Sequence, residues 1–289
     1  MRSFRRNLVG EQPQASVIIR ARDEAAAIGR CLERVAGQRT GDRGVEVIVI
    51  DSGSRDRTVA IAREHGARVL TLDRDEFSFG RALNLGAAAA HGELLVALSA
   101  DAFPLDDGWL GRLAAPFADA RVACVSGDRY GPHGAPLSEP IEQDIALARA
   151  HPGWGYSNGA GAFRGGLWRE RPFREDLPGC EDREWSWHWL ERGYRCVVDP
   201  RLVVEHDHTH DSLPAIYRRA RREAEGLAMF AEGTGDGPGL LAEWWSDRRF
   251  YRSPLRARLS HRRAARLLGE RAGRRRARAR AAGEAPWRP

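Results

Sequence analysis

"LLVALSADAFP", residues 94–104, runs from a stretch of aliphatic residues into a polar turn that carries one carboxylate, Asp101. Apolar runs this short, bounded by turn formers, read as strands buried on both faces. Two similar stretches precede it. "ASVIIRARDE" (15–24) ends in Asp23 and Glu24, and "VEVIVIDSGSRDRT" (45–58) passes through Asp51 into a Ser-Gly turn. Helical patterns lie between them. "AAAIGRCLERVAGQ" (25–38) places Ile28, Cys31, Leu32 and Val35 at helical spacing, and "DRTVAIAREHG" (56–66) stops at Gly66. "ARVLTL" (67–72) adds a short strand and "GRALNLGAAAAHG" (80–92) a third helix. Strands alternating with helices predict an α/β fold with a mostly parallel sheet covered on both faces. Such sheets bind ligands beyond the carboxyl ends of their strands. Asp23, Glu24, Asp51 and Asp101 are therefore candidate ligand-facing acids.

The rhythm changes after Phe117. "RVACVSGDRYG" (121–131) reads as a strand, "IEQDIALARAH" (141–151) as a helix, and the glycine-rich "GYSNGAGAFRGGLW" (155–168) as a strand turning back. "EDREWSWHWLERG" (181–193) is a helix with Trp185 and Trp189 on one face. It opens with Glu181 and Asp182. Acids in a first turn favour the helix dipole, and an acid at a cleft edge can also serve as a general base. "YRCVVDPRLVVEHDHTH" (194–210) leads to His206, His208 and His210, which point one way on an extended chain and are candidate metal ligands.

Composition limits the function classes. The 289 residues carry a formal charge of +6 with no lysine, which excludes a phosphate-binding loop built on G-x-x-x-x-G-K-[ST]. No G-x-G-x-x-G occurs either. From Ser246 to Pro289, 15 arginines stand against three acids, a local balance of +12 that leaves the rest near −6. With few aromatics and no recognisable motif, this basic run predicts no nucleic-acid binding. "RARLSHRRAARLLGERAG" (256–273) instead places Leu259, Ala264 and Leu267 near one face, a weakly amphipathic helix suited to anionic lipid. Cys31, Cys124, Cys180 and Cys196 form no C-x-x-C pair and read as core residues. No apolar run approaches a membrane span, and the basic N-terminus lacks the apolar core of a signal peptide. A cytoplasmic protein is expected, with the tail as a candidate peripheral contact to the inner face of the membrane.

Together these stretches resemble the nucleotide-diphospho-sugar transferase (GT-A) fold, a Rossmann-like mixed sheet flanked by helices. The closer resemblance is to family 2 glycosyltransferases of the bacterial rhamnosyltransferase-like branch. It spans Ser16 to His210 and rests on "SVIIRARDE", "VIDSGSRDRT", "GRALNLGAAAAHGE", "LSADAFP", "YSNGAGAFRGGLWRERPF", "EDREWSWHWLERGY" and "VVEHDH" in the family's order. It implies a tail at 1–14 and a catalytic domain at 15–212, with a nucleotide-sugar half (15–105) and an acceptor half (106–212). A helical arginine-rich extension (213–289) follows.

By the same resemblance Asp51 holds the nucleobase, and Arg20, Ala21 and Glu24 line the nucleotide pocket. Arg81 and Asn84 face the ribose and diphosphate. Asp101 matches the last acid of a D-x-D metal motif, whose first acid is Ser99 here, with Ala100 between them. His206 or His208 is the late metal ligand, for Mg2+ or Mn2+. Asp182 is the catalytic base of the Glu181–Asp182 pair. The acceptor enters near Trp154, Asn158, Gly159 and Trp185. The implied reaction is metal-dependent, inverting transfer of a sugar, rhamnose first among candidates, from a dTDP-, UDP- or GDP-sugar. The acceptor is a hydroxyl of a glycan, lipid-linked or small-molecule compound. A non-catalytic nucleotide- or metal-binding protein on the same fold, or a nucleotidyltransferase, is the alternative.

Overall fold

A computed structural model describes residues 15–39, 44–207, 209–231 and 260–283. The first half alternates as expected: β1 (Ala15–Ala21), α1 (Ile28–Ala36), β2 (Val45–Asp51), α2 (Thr58–Glu64), β3 (Arg68–Thr71), α3 (Phe79–Ala89) and β4 (Leu94–Ser99). Then come β5 (Phe103–Pro104), α4 (Trp109–Ala114), β6 (Val122–Ser126), β7 (Ile141–Gln143), α5 (Ile145–Ala150), β8 (Ala160–Arg164) and α6 (Gly165–Glu170). The chain continues through α7 (Glu181–Leu190), β9 (Arg195–Val198), β10 (Val204–Glu205), α8 (Leu213–Ala228) and α9 (His261–Ala281).

One sheet holds eight strands in the order β3-β2-β1-β4-β8-β6-β9-β7. β1, β2, β3, β4, β6 and β9 run one way; β8 and β7 run against them. Apolar layers cover both faces. Val17, Ile19 and Val49 pack with Ile28, Leu32 and Val35 of α1 on one side, and Ile18, Ile48 and Ile50 with Leu83 and Trp185 on the other. Burial on both faces is why these strands are continuous apolar runs rather than alternating ones.

Two expectations need correcting. "IEQDIALARAH" is not one helix: Ile141–Gln143 pairs with β9 as an edge strand, and only Ile145–Ala150 is helical. Asp144 divides them, because its side chain accepts the Leu147 backbone N–H at 2.8 Å and caps the helix start. The arginine-rich end also differs. α9 lies along α8 in the same direction, with Leu267 only 2% exposed. The face expected to meet lipid is thus partly turned inward, although Leu268 remains 49% exposed. A side chain at Gly273 would strike the Arg221 carbonyl oxygen, so the close approach of the two helices requires glycine there. Some of the arginines have an internal role: Arg276 and Arg280 pair with the buried Glu225 of α8 at 3.3 and 2.9 Å. Residues 1–14 and Leu259 lie outside the described residues.

α8 is held equally tightly to the loop before α7. A Cβ at Gly226 would fall on the Gly179 carbonyl oxygen. Gly226→Ala is expected to cost about 1–3 kcal/mol by overpacking. Gly111→Ala, where nothing lies within 4 Å, should be neutral or slightly stabilising. Chemical denaturation of both variants measures the contrast.

Candidate active site

The sheet register brings the predicted residues to one edge. Ala21 stands opposite Asp51, and Arg20 stands opposite Ile50 and Ser99, so β1, β2 and β4 end together. Because β8 runs against β4, its start lies at this edge too: Leu98 pairs with Ala160, and the Ser99 N–H donates to the Gly159 carbonyl at 2.9 Å. The loops after β1 and β2 are stitched together. Asp23 N–H donates to Ser54 Oγ (2.9 Å), Glu24 N–H to Thr58 Oγ1 (2.7 Å) and Ala25 N–H to Asp56 Oδ2 (3.0 Å).

Glu181 and Asp182 reach this edge from the start of α7. Arg20 Nη1 is 3.3 Å from Glu181 Oε1, and Arg20 Nη2 donates to the Asn158 carbonyl at 3.4 Å. Asn158 N–H in turn donates to Asp182 Oδ2 at 3.1 Å. Glu181 is buried, and that burial, followed by the Asp182 charge, raises its pKa while Arg20 pulls against them. The Asn158 side-chain carbonyl is buried with no hydrogen-bond partner. A buried orphan acceptor of this kind is costly, and its geometry suits a ligand hydroxyl.

β5 and β10 form a separate antiparallel ribbon, with Glu205 opposite Phe103 and Val204 opposite Pro104. One residue past it, His206 Nε2 lies 3.2 Å from Asp101 Oδ1. Arg30 fastens the ribbon by donating to both oxygens of Glu205 at 2.8 and 2.6 Å, with its guanidinium 4.1 Å from the Phe103 ring centroid. Glu24 lies within the field of this pair. Burial, then the charges of Asp101 and Asp56, raise its pKa to about 7, with His206 opposing. Carboxylate oxygens and an imidazole nitrogen fit Mg2+ or Mn2+. Among the described residues no three His, Cys, Asp or Glu side chains converge as a complete metal site.

The backbone is left-handed at two non-glycine residues among those described, Asp23 (φ 54°) and Cys180 (φ 62°). They directly precede Glu24 and Glu181. Strain of this kind persists where surrounding structure enforces it, and it gathers at functional sites.

Other predicted residues stand differently. Asp51 is buried, and its carboxylate accepts the Gly53 and Ser54 N–H groups of its own turn at 3.2 Å. Ala21 and Ala100 are buried at the edge. Arg81 pairs with Glu76 at 3.1 Å, in a cavity of about 330 Å³ that is also lined by Asp75, Glu175 and Asp176. Asn84 does not face a ligand: its amide donates to the Phe173 carbonyl and to Glu175, and accepts from Trp168 Nε1 and Phe173 N–H. All of its capacity is used in fixing α3 to α6 and the loop that follows it. Trp185 also departs from expectation. It is 0% exposed, packs against Phe163, Phe173 and Trp189, and donates to the Arg171 carbonyl at 2.7 Å, so it offers no face to an acceptor. Trp154 is only 8% exposed, with its indole N–H on the Tyr130 carbonyl. His206 and His210 do not face one way, because the strand ends at Glu205 and His210 turns back toward Asp207. His208 lies outside the described residues.

Residues 16–172 match the model of glycosyl transferase family 2, which is more than half of the chain. The chain belongs to glycosyl transferase family 2. The family-matched segment carries the β1, β2 and β4 edge with Asn158 and Gly159; Glu181, Asp182, His206 and α8 lie beyond it. The chain is 27% identical over 182 residues to the O-antigen chain rhamnosyltransferase RfbN of Salmonella typhimurium, covering 57% of this chain and 58% of that protein. It is 33% identical over 121 residues to glycosyltransferase AglE of Haloferax volcanii, covering 40% and 39%. A TPR repeat-containing protein of Synechococcus elongatus shares 43% over 97 residues, 33% of this chain and 22% of that one. The chain thus spans between about a fifth and three fifths of these relatives' lengths.

Among solved structures, it resembles the mannosyltransferase PcManGT from Pyrobaculum calidifontis in complex with GDP-Man and Mn2+. The TM-score is 0.61 at 22% identity, covering 96% of this chain and 81% of that one. Glucosyl-3-phosphoglycerate synthase from Mycobacterium tuberculosis, in complex with Mn2+, UDP and glucosyl-3-phosphoglycerate, gives 0.59 at 20% identity, covering 77% and 80%. At these identities the likeness is one of fold, and the fold is GT-A. No helix among the described residues is long and apolar enough to cross a membrane.

Proposed function

We propose that this family 2 protein is a metal-dependent, inverting glycosyltransferase that moves a sugar from a nucleoside diphosphate to an acceptor hydroxyl. The observation that carries the reading is the meeting of Arg20, Ser99, Asn158, Glu181 and Asp182 at one sheet edge, with the Asp101–His206 pair following β4. Rhamnose is the first candidate sugar, supported by the likeness to RfbN. Residues 15–105 form the donor half and 106–212 the acceptor half, followed by the 213–289 extension, whose α8 packs on the loop before α7.

Asp101 and His206 would hold Mg2+ or Mn2+ together with the donor's phosphate oxygens, His208 being the alternative histidine. Bound there, the cation neutralises charge on the departing diphosphate. With Ser99 in place of an acid, the protein supplies few anionic ligands, so metal and donor bind as a unit. Asp182 takes the proton of the acceptor hydroxyl as its oxygen bonds to the anomeric carbon. The anomeric C–O bond breaks with its electron pair left on the phosphate oxygen. Asn158 N–H holds the Asp182 carboxylate in place, and the Asn158 side-chain Oδ1 accepts a sugar hydroxyl.

A thermal-shift screen of UDP, GDP and dTDP, with and without Mn2+, tests the reading. One nucleotide with Mn2+ should stabilise the protein by about 2.7 kcal/mol at a hundredfold excess over its Kd. No stabilisation by any of the three would reject it. Stabilisation without any turnover of the matching sugar donor would point instead to a non-catalytic binding protein.

A further inference from the structure

Arg222, on α8, has its Cζ 5.3 Å from the ring centroid of Phe79, the residue that opens α3. Arg20 Cζ is 5.0 Å from the same centroid. Two guanidiniums therefore share one aromatic ring beside the ends of β1 and β4. Arg20 has Glu181 as its partner, whereas none of the described residues gives Arg222 an ion pair or a hydrogen bond. Burial, and the charges of Arg219, Arg221 and Arg218 against the pull of Glu223, hold the Arg222 pKa below its ordinary value. A largely buried cation without a counter-ion is costly, and an anionic ligand removes that cost.

The packing of α8 places this cation independently. Gly226 abuts the Gly179 carbonyl, and Cys180 Sγ lies 3.3 Å from the Glu223 carbonyl oxygen, so α8 is fastened to the two residues before Glu181 and Asp182. Arg81, the cation expected at the diphosphate, has its charge matched by Glu76 in an acid-lined cavity.

We propose that Arg222 binds the diphosphate of the donor, so that α8 contributes to the donor site from outside the segment that defines the family. The inference rests on the function proposed above. A planar guanidinium pairs two N–H groups with phosphate oxygens. As the anomeric C–O bond breaks, the charge left on the phosphate oxygen grows within its reach.

Calorimetry tests this with the tightest-binding of UDP, GDP and dTDP, its nucleoside monophosphate, and inorganic pyrophosphate, on the full chain with Mn2+. Arg222→Gln should weaken nucleoside diphosphate and pyrophosphate about 10- to 150-fold, the range of a charged hydrogen bond. Binding of the monophosphate should stay near wild type. Arg218→Gln, at an exposed position on the same helix, should change neither. Arg222→Met, which keeps an apolar chain against Phe79, carries the same expectation should the Gln variant not fold. Unchanged diphosphate binding, or equal losses for monophosphate and diphosphate, would overturn the assignment. A wild-type protein that binds none of these nucleotides would instead overturn the underlying functional reading.

Discussion

Asp182→Asn is expected to lower kcat for sugar transfer by about 10²- to 10⁴-fold, the range for loss of a positioned general base. The substitution keeps the size of the side chain and one oxygen to accept from Asn158 N–H or Arg183 N–H. It removes the charge that takes the acceptor's proton. Nucleoside diphosphate affinity should stay near wild type, because donor-side contacts come from other residues. Steady-state transfer rates alongside calorimetric binding separate the two. A variant that loses nucleotide binding and turnover together would assign Asp182 to the donor side instead. Glu181→Gln tests a different role. Glu181 is buried and holds Arg20 and Asn158, so its loss should misplace Arg20 and raise donor KM.

Asp101→Asn is expected to weaken Mn2+ affinity in the presence of nucleoside diphosphate by more than about 100-fold. Removing partners that only orient a metal ligand already costs about 10–100-fold, and Asp101 is placed as a charged ligand itself. His206→Ala should have a smaller effect in the same direction, because it removes a neutral nitrogen and leaves the carboxylate. Activity measured across a Mn2+ titration should show Asp101→Asn shifted to much higher metal concentration. An unshifted curve would place the metal elsewhere.

Much of this arrangement is legible in the chain. Aliphatic runs ending in Asp23/Glu24, Asp51 and Asp101 predict parallel strands delivering acids to one edge, and β1, β2 and β4 do end in register there. What periodicity could not reveal are features too short or too non-local to leave a pattern. β5 and β10 have two residues each, so the ribbon that brings His206 to Asp101 has no repeat to detect. Asp144 looks like part of a helix until β9 presents an open edge for Ile141–Gln143. The family resemblance places Trp185 near the acceptor; its burial in the ring cluster with Phe163 and Phe173 depends on residues far away in sequence. Arg222 sits in "YRRARREAEG", where a run of like charges reads as a solvated face, and only the packing of α8 on Gly179 sets it apart. The left-handed backbone at Cys180 had no glycine to announce it.

Joint binding of a cation and a diphosphate at this edge can be measured by titrating Mn2+ against the protein by electron paramagnetic resonance, with and without saturating nucleoside diphosphate. The nucleotide is expected to tighten Mn2+ by about 5- to 150-fold, and Mn2+ to tighten the nucleotide by the same factor. Equal Mn2+ affinity in both titrations would contradict it.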